Sequence, residues 1–130
     1  MVRSVSLIFV TEPTPSDICQ VQCINVELVA QVNRALPKDN ILEDAQILFG
    51  ALADKSRLKI LHALSDSQEL CVCDVASLLE VKIAAASHHL RKLRDLKILK
   101  YRNEGKLAYY SLKDRRVAEI LSYALKQLVP

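Results

Sequence analysis

The chain reads as a mainly α-helical fold closed by one small β-hairpin, a winged helix-turn-helix, and three features predict it. Apolar residues recur at helical spacing over most of the length. Two short helical stretches between 69 and 93 are separated by only a few residues. Two β-prone runs then flank a short turn. A length of 130 residues suits one domain. Only 2 glycines and 4 prolines argue against a many-turned β fold, and 51% hydrophobic with 25% charged residues exclude a disordered chain. No apolar run approaches the roughly 20 residues that span a bilayer. Met1 to Val10 carries one Arg and the brief run Leu7 to Val10, too short for a signal peptide and followed by no small-residue cleavage site. The protein is expected in the cytoplasm, with no membrane partner.

Residues 1–17, with Thr11-Glu12-Pro13-Thr14-Pro15-Ser16, read as a flexible arm, and 18–130 as a single domain. From Cys19 a helical rhythm runs through Ile24, Leu28, Val32 and Leu36. Pro37 to Asn40 breaks it, with Asp39 or Asn40 as the expected N-cap of the next helix, whose stripe is Ile41, Ala45, Leu48 and Leu52. Asp54 can cap a third helix that buries Leu58, Ile60, Leu61 and Leu64. Beyond the polar run Ser65 to Gln68, Val75, Leu78 and Leu79 define one short helix. Ala86, Leu90 and Leu93 define the inner face of the next. So tight a pair is the mark of a helix-turn-helix. Ser87, His88, Arg91 and Lys92 stay off the apolar stripe, and small Ala84, Ala85 and Ser87 would allow close approach to DNA. Ile98 to Arg102 and Leu107 to Leu112 flank Asn103-Glu104-Gly105-Lys106, which describes a hairpin and supplies the wing. A last helix places Val117, Ile120, Leu121, Ala124, Leu125 and Leu128 on one face, to cover its own core or to pack on a second copy.

Charge is distributed unevenly. The net charge is +3, yet Lys82 to Arg116 holds 11 basic and 3 acidic residues, a segment of +8. The remaining 95 residues carry 7 basic and 12 acidic groups, or −5. A basic third on an acidic remainder points to a polyanion on one face, and a solvated helix surface is the plainer alternative. Catalysis finds little support, since the chain has no Gly-rich phosphate loop, nucleophile elbow or His-Glu metalloprotease pattern.

The four cysteines form two pairs, Cys19-x-x-x-Cys23 and Cys71-x-Cys73. Residues four apart on a helix share a face about 5–6 Å apart, so Cys19 and Cys23 can aim at one ion. Cys71 and Cys73 cannot do so inside a regular helix, where two steps turn about 200°. At a helix start or in an extended segment they can converge. Four thiolates would make a soft set suited to Zn, Cd or Pb. Buried inert cysteines and a redox switch stand as alternatives, while structural disulfides do not suit a cytosolic chain with a large core. Adjacent His88 and His89 diverge by about 100° on a helix and cannot share one ion. His62, amid Ile60, Leu61 and Leu64, reads as a helix-surface or core-edge residue.

Glu69-Leu-Cys-Val-Cys-Asp74, Ala86-Ser-His-His-Leu-Arg-Lys-Leu93 and Glu104-Gly-Lys-Leu-Ala-Tyr-Tyr-Ser-Leu112, preceded by Ala51-Leu-Ala-Asp-Lys-Ser-Arg-Leu58, resemble the ArsR/SmtB family of bacterial metal-sensing repressors. The resemblance covers about Leu42 to Leu128. The Cys-Val-Cys motif with an N-terminal cysteine pair resembles the family's CadC-type sensors of cadmium and lead. It implies a homodimeric winged-helix repressor whose N- and C-terminal helices form the dimer interface. It also implies a thiolate site shared between Cys71 and Cys73 of one subunit and Cys19 and Cys23 of the other. Many relatives carry a second metal site on the C-terminal helices. Here Asp114 is present, but Arg116 stands where a His is expected, and Gln127 and Pro130 occupy the later ligand positions. That site should therefore be absent, with Asp114 reading as a helix N-cap.

The resulting expectation is a non-enzymatic repressor that binds double-stranded operator DNA as a homodimer. A soft divalent effector (Cd, Pb or Zn) would release it through Cys19, Cys23, Cys71 and Cys73 and switch on a metal-resistance gene. Ser87 and His88 are placed nearest the base edges, Arg91 and Lys92 at phosphates, and Arg102 and Lys106 on the wing. A thiol-based redox-sensing repressor is the first alternative; a small thiol enzyme or metal-storage protein that binds no DNA is the second.

Overall fold

The structure, a computed structural model, describes residues 23–66 and 68–130. The expected arm at 1–17 lies outside the described residues. Helix α1 spans Val26–Ala35, and Asn25 caps it by accepting the Leu28 N–H at 3.0 Å. Residues 23–25 are therefore non-helical, and the helix begins later than the rhythm from Cys19 predicts. Helix α2 spans Asp39–Leu52 with Lys38, not Asp39 or Asn40, at the cap. Asp39 is already helical, and its carboxylate faces the positive end of the helix dipole from within the first turn.

Asp54 caps α3 (Lys55–Leu64), as expected, accepting the Arg57 N–H at 3.0 Å. A two-residue strand β1 (Leu70–Cys71) leads directly into α4 (Val72–Leu79). Glu80, at φ 57°, closes α4 in the left-handed region, with the Val81 N–H donating to the Ala76 carbonyl at 3.0 Å. Helix α5 (Ile83–Asp95) follows after three residues, which completes the helix-turn-helix. The hairpin is β2 (Leu99–Glu104) and β3 (Leu107–Leu112), joined by Gly105-Lys106. Gly105 sits at φ 62°, the conformation this first turn position requires. Helix α6 spans Arg115–Leu128.

The sheet has order β1-β3-β2 and is antiparallel throughout, with Cys71 opposite Tyr109 and Tyr109 opposite Arg102. Ile60, Leu61, Leu64, Val75, Ala86, Leu90, Leu93, Leu99 and Val117 are at most 1% exposed, so one core joins α3, α4, α5, β2 and α6. Leu78, expected inside, is exposed. On α4 the buried arc runs through Val75, Leu79 and Ala76, and Leu78 lies about 60° beyond its edge. Of the α2 stripe, Leu52 is buried and Ala45 and Leu48 half-buried, while Ile41 is exposed. Ile24, Leu28, Val32 and Leu36 are each more than half exposed, and α1 buries nothing. No helix among the described residues is long and apolar enough to cross a membrane.

Candidate nucleic-acid interface and thiol site

Core packing sets the rotation of α5. Ala86, Leu90 and Leu93 are fully buried, which turns His88, Arg91 and Lys92 outward and leaves Ser87 half-buried beside them. Ala84 and Ala85 at the start of the helix are exposed and small. Among the described residues, neither Arg91 nor Lys92 takes part in an ion pair, so both cations are available to a polyanion. Arg94 is committed elsewhere: it meets Asp95 at 3.4 Å and lies 5.1 Å from the Tyr101 ring centroid. On the hairpin, Lys106 is exposed at the turn.

Arg102 projects from the middle of the wing, yet it is held. Its Nε donates to both Glu69 carboxylate oxygens at 3.0 and 2.9 Å, and its Nη1 donates to Glu104 at 2.7 Å. Its guanidinium lies 4.9 Å from the Tyr109 ring centroid. The Arg102 hydrogen bonds hold the Glu69 carboxyl below its ordinary value, and the two carboxylates raise Arg102 further still.

The histidines diverge as their spacing predicts, although their rings meet edge-on at 6.2 Å. His89 is partly buried, and its Nδ1 has no hydrogen-bond partner among the described residues. The Arg57 N–H is the main cause holding the Asp54 carboxyl below its ordinary value, with His89 a smaller one. His62 is exposed on α3.

Cys71 and Cys73 sit where β1 becomes α4. Cys71 is buried, extended (φ −83°, ψ 170°) and at the N-cap; Cys73 is exposed at the second helical residue. The break in regular backbone thus falls between them, which frees the pair from the geometry of a continuous helix. Asp74 reaches back to accept the Cys71 N–H at 3.1 Å and completes a capping box around the junction. Cys23 is exposed in the non-helical segment before α1, so the expected four-residue helical pairing with Cys19 does not apply at its end. Cys19 lies outside the described residues. Thiols suit soft ions, so the donor chemistry fits Cd, Pb or Zn. Among the described residues of one chain, no three His, Cys, Asp or Glu side chains gather to hold an ion.

At the start of α6, Asp114 is the N-cap. It accepts the Arg116 N–H at 3.1 Å and meets the Arg116 guanidinium at 2.9 and 2.8 Å. That pairing holds the Asp114 carboxyl below its ordinary value. Sequence reasoning missed the Glu69–Arg102 pair, which no local pattern announces across 33 positions. It also missed the capping box, which Cys71-x-x-Asp74 does announce by its three-residue offset.

A helix-turn-helix with free cations on its second helix, followed by a basic-tipped hairpin, defines the winged-helix class of DNA-binding proteins. Residues 54–101 match the family described as "Bacterial regulatory protein, arsR family". The cadmium resistance transcriptional regulatory protein CadC homolog of Staphylococcus aureus is 47% identical over 108 residues, covering 83% of this chain and 88% of that protein. Reduced HlyU from Vibrio cholerae superposes with a TM-score of 0.64 at 29% identity, covering 71% of this chain and 96% of that one. The winged helix-turn-helix DNA-binding domain of Mb0332 from Mycobacterium bovis, described as homodimeric, gives 0.60 at 26% identity, covering 69% and 85%. The chain belongs to the ArsR/SmtB family of transcriptional repressors, among its CadC-like members. Members of this family are DNA-binding regulators, not enzymes.

Proposed function

We propose that this chain is a cytoplasmic, homodimeric repressor that grips operator DNA and lets go when Cd, Pb or Zn is held by its cysteine thiolates. The observation that carries the reading is the position of Cys71 and Cys73. They occupy the point where the wing's sheet passes into the first helix of the helix-turn-helix. Any force at these sulfurs acts on both DNA-facing parts together. Cys19 and Cys23, from the segment before α1, complete the donor set across the dimer. When bound, the ion would supply a cross-link among these sulfurs.

On the DNA side, Ser87 and His88 face base edges, Arg91 and Lys92 face phosphates, and Lys106 with Arg102 serves the wing. The exposed apolar stripe of α1, together with Ile41, Ile47 and Phe49 of α2, is the kind of surface that a second copy covers. The cadmium-resistance role named for the Staphylococcus aureus relative supports the choice of ion. A gel shift on the promoter fragment upstream of its own gene tests the reading. Duplex binding that is lost with Cd²⁺, Pb²⁺ or Zn²⁺ and restored by a chelator supports it; no duplex binding at all overturns it.

Exposure of Cys73 next to buried Cys71 favours a redox-sensing repressor as the second reading. An ultraviolet thiolate-to-metal band that disappears in Cys71→Ser supports the metal, whereas release by oxidant alone supports redox control.

A further inference from the structure

Arg102 occupies an unusual position among the charged residues. Every other ion pair among the described residues links positions one or two apart, whereas Arg102 joins Glu69 across 33. Glu69 immediately precedes β1, whose second residue is Cys71. Arg102 belongs to β2, on the far side of β3. Its side chain therefore crosses the middle strand, passing Tyr109 at 4.9 Å, to reach the edge of the strand that carries the buried thiol. Cys71, Tyr109 and Arg102 are also successive partners in one cross-strand row, so their side chains share a face of the sheet.

We infer that Arg102 is a positioning residue, a clamp tying the Cys71-bearing strand to the wing, so that a change at the thiols is transmitted to the hairpin. The inference deepens the proposed function and rests on Cys71 and Cys73 being effector ligands. An isolated exposed ion pair contributes little to stability. This one is different in kind: two carboxylates and an aromatic ring restrain the guanidinium from three sides, which fixes direction more than it adds energy. β1 has only two residues and few ladder bonds of its own. The clamp therefore adds a directional tie to a strand otherwise held by its short ladder with β3, by buried Cys71 and by Leu70 packed on the core. A shift of Cys71 carries Glu69, Glu69 carries Arg102, and Arg102 carries β2 and, through Glu104, the end of the wing.

Glu69→Gln and Glu104→Gln each remove one carboxylate from the same guanidinium and change the net charge equally, so their general electrostatic effects on DNA are matched. Only Glu69→Gln weakens the tie to β1. In the full-length protein, operator Kd is measured with and without Cd²⁺, and amide hydrogen exchange is followed in metal-free protein. The Cd²⁺-induced rise in operator Kd should shrink roughly fivefold or more in Glu69→Gln, a sizeable part of an ordinary allosteric coupling. In Glu104→Gln it should stay within about twofold of the parent, as for loss of a local surface pair. The thiolate-to-metal band and its midpoint without DNA should match the parent in both variants. Amides pairing β1 with β3 should exchange faster only in Glu69→Gln. The clamp is overturned if the parent responds to Cd²⁺ and Glu69→Gln responds equally, or if the two variants lose response to the same extent. If the parent itself shows no response, the thiol reading fails and this inference falls with it, while the exchange data still report whether β1 is held.

Discussion

Lys92→Ala isolates the electrostatic part of DNA binding. Lys92 is exposed, makes no ion pair among the described residues, and lies in the last turn of α5 beyond the buried Ala86–Leu90–Leu93 face. Its removal leaves the core untouched. The only stability it can lose is its favourable interaction with the negative end of the helix dipole, about 0.3–1 kcal/mol. If Lys92 neutralises one phosphate in each protomer, a dimer loses two such contacts, and the slope of log K against log salt falls by about 1.8. Raising salt fourfold, from 50 to 200 mM, then narrows the affinity gap between parent and variant about twelvefold. Fluorescence anisotropy with a labelled promoter duplex across that range reads it directly. Lys59→Ala, an equal charge change at an exposed α3 position outside the basic segment, is the control and should leave the slope unchanged. An unaltered slope in Lys92→Ala, or an equal drop in both variants, would refute the placement of α5 against the duplex.

Leu90→Ala empties a fully buried site between α5 and the rest of the core and should cost about 2–5 kcal/mol, seen as a lower denaturant midpoint with operator binding lost in parallel. Asp114 has a carboxyl lowered chiefly by its hydrogen bonds to Arg116. The stability it contributes is present above the ordinary aspartate pKa and is lost as pH falls through the lower folded value. Asp114→Asn keeps a cap but removes that titration, so thermal midpoints should fall less steeply with acid below about pH 4 than in the parent. Glu80→Gly relieves a left-handed residue at φ 57° and, net of the unfolded chain's added freedom, should raise stability by about 0.5–1 kcal/mol; a lower melting temperature would contradict the strain argument.

Most of the architecture was legible because local rules and the global fold agree. Asp54 caps α3, Asp114 caps α6, and Ala86, Leu90 and Leu93 form the inner face of α5, all as spacing and side-chain chemistry predict. The hairpin was legible from its β-prone runs, although the turn is Gly105-Lys106 alone, with Asn103 and Glu104 drawn into β2. What escaped depends on tertiary partners. β1 is two residues long and exists only because β3 offers an edge, so no periodicity could mark it. Leu78 was misplaced because three apolar residues at 75, 78 and 79 fit more than one helix rotation, and the sheet and α5 chose the arc that includes Ala76. Of the stripe Ile24, Leu28, Val32 and Leu36, only Leu28 and Val32 lie within α1, and nothing among the described residues buries it.

The candidate site could be proposed from residue types, whereas its geometry could not. Cys71-x-Cys73 announced a thiol pair, and its strand-to-helix setting came from the fold. Arg102 was readable as a wing cation; that two carboxylates hold it was not, since one of them is 33 residues away.

In the proposed mechanism, sulfur at the entry to the helix-turn-helix controls the grip on DNA. The most direct measurement is promoter-duplex Kd by anisotropy in graded Cd²⁺, comparing the reduced parent with a form in which Cys19, Cys23, Cys71 and Cys73 are all serine. The parent's Kd should rise roughly tenfold or more, a coupling of about 1.4 kcal/mol, while the serine form binds equally well at every concentration. A serine form that releases the duplex at the same Cd²⁺ concentration as the parent would contradict the account.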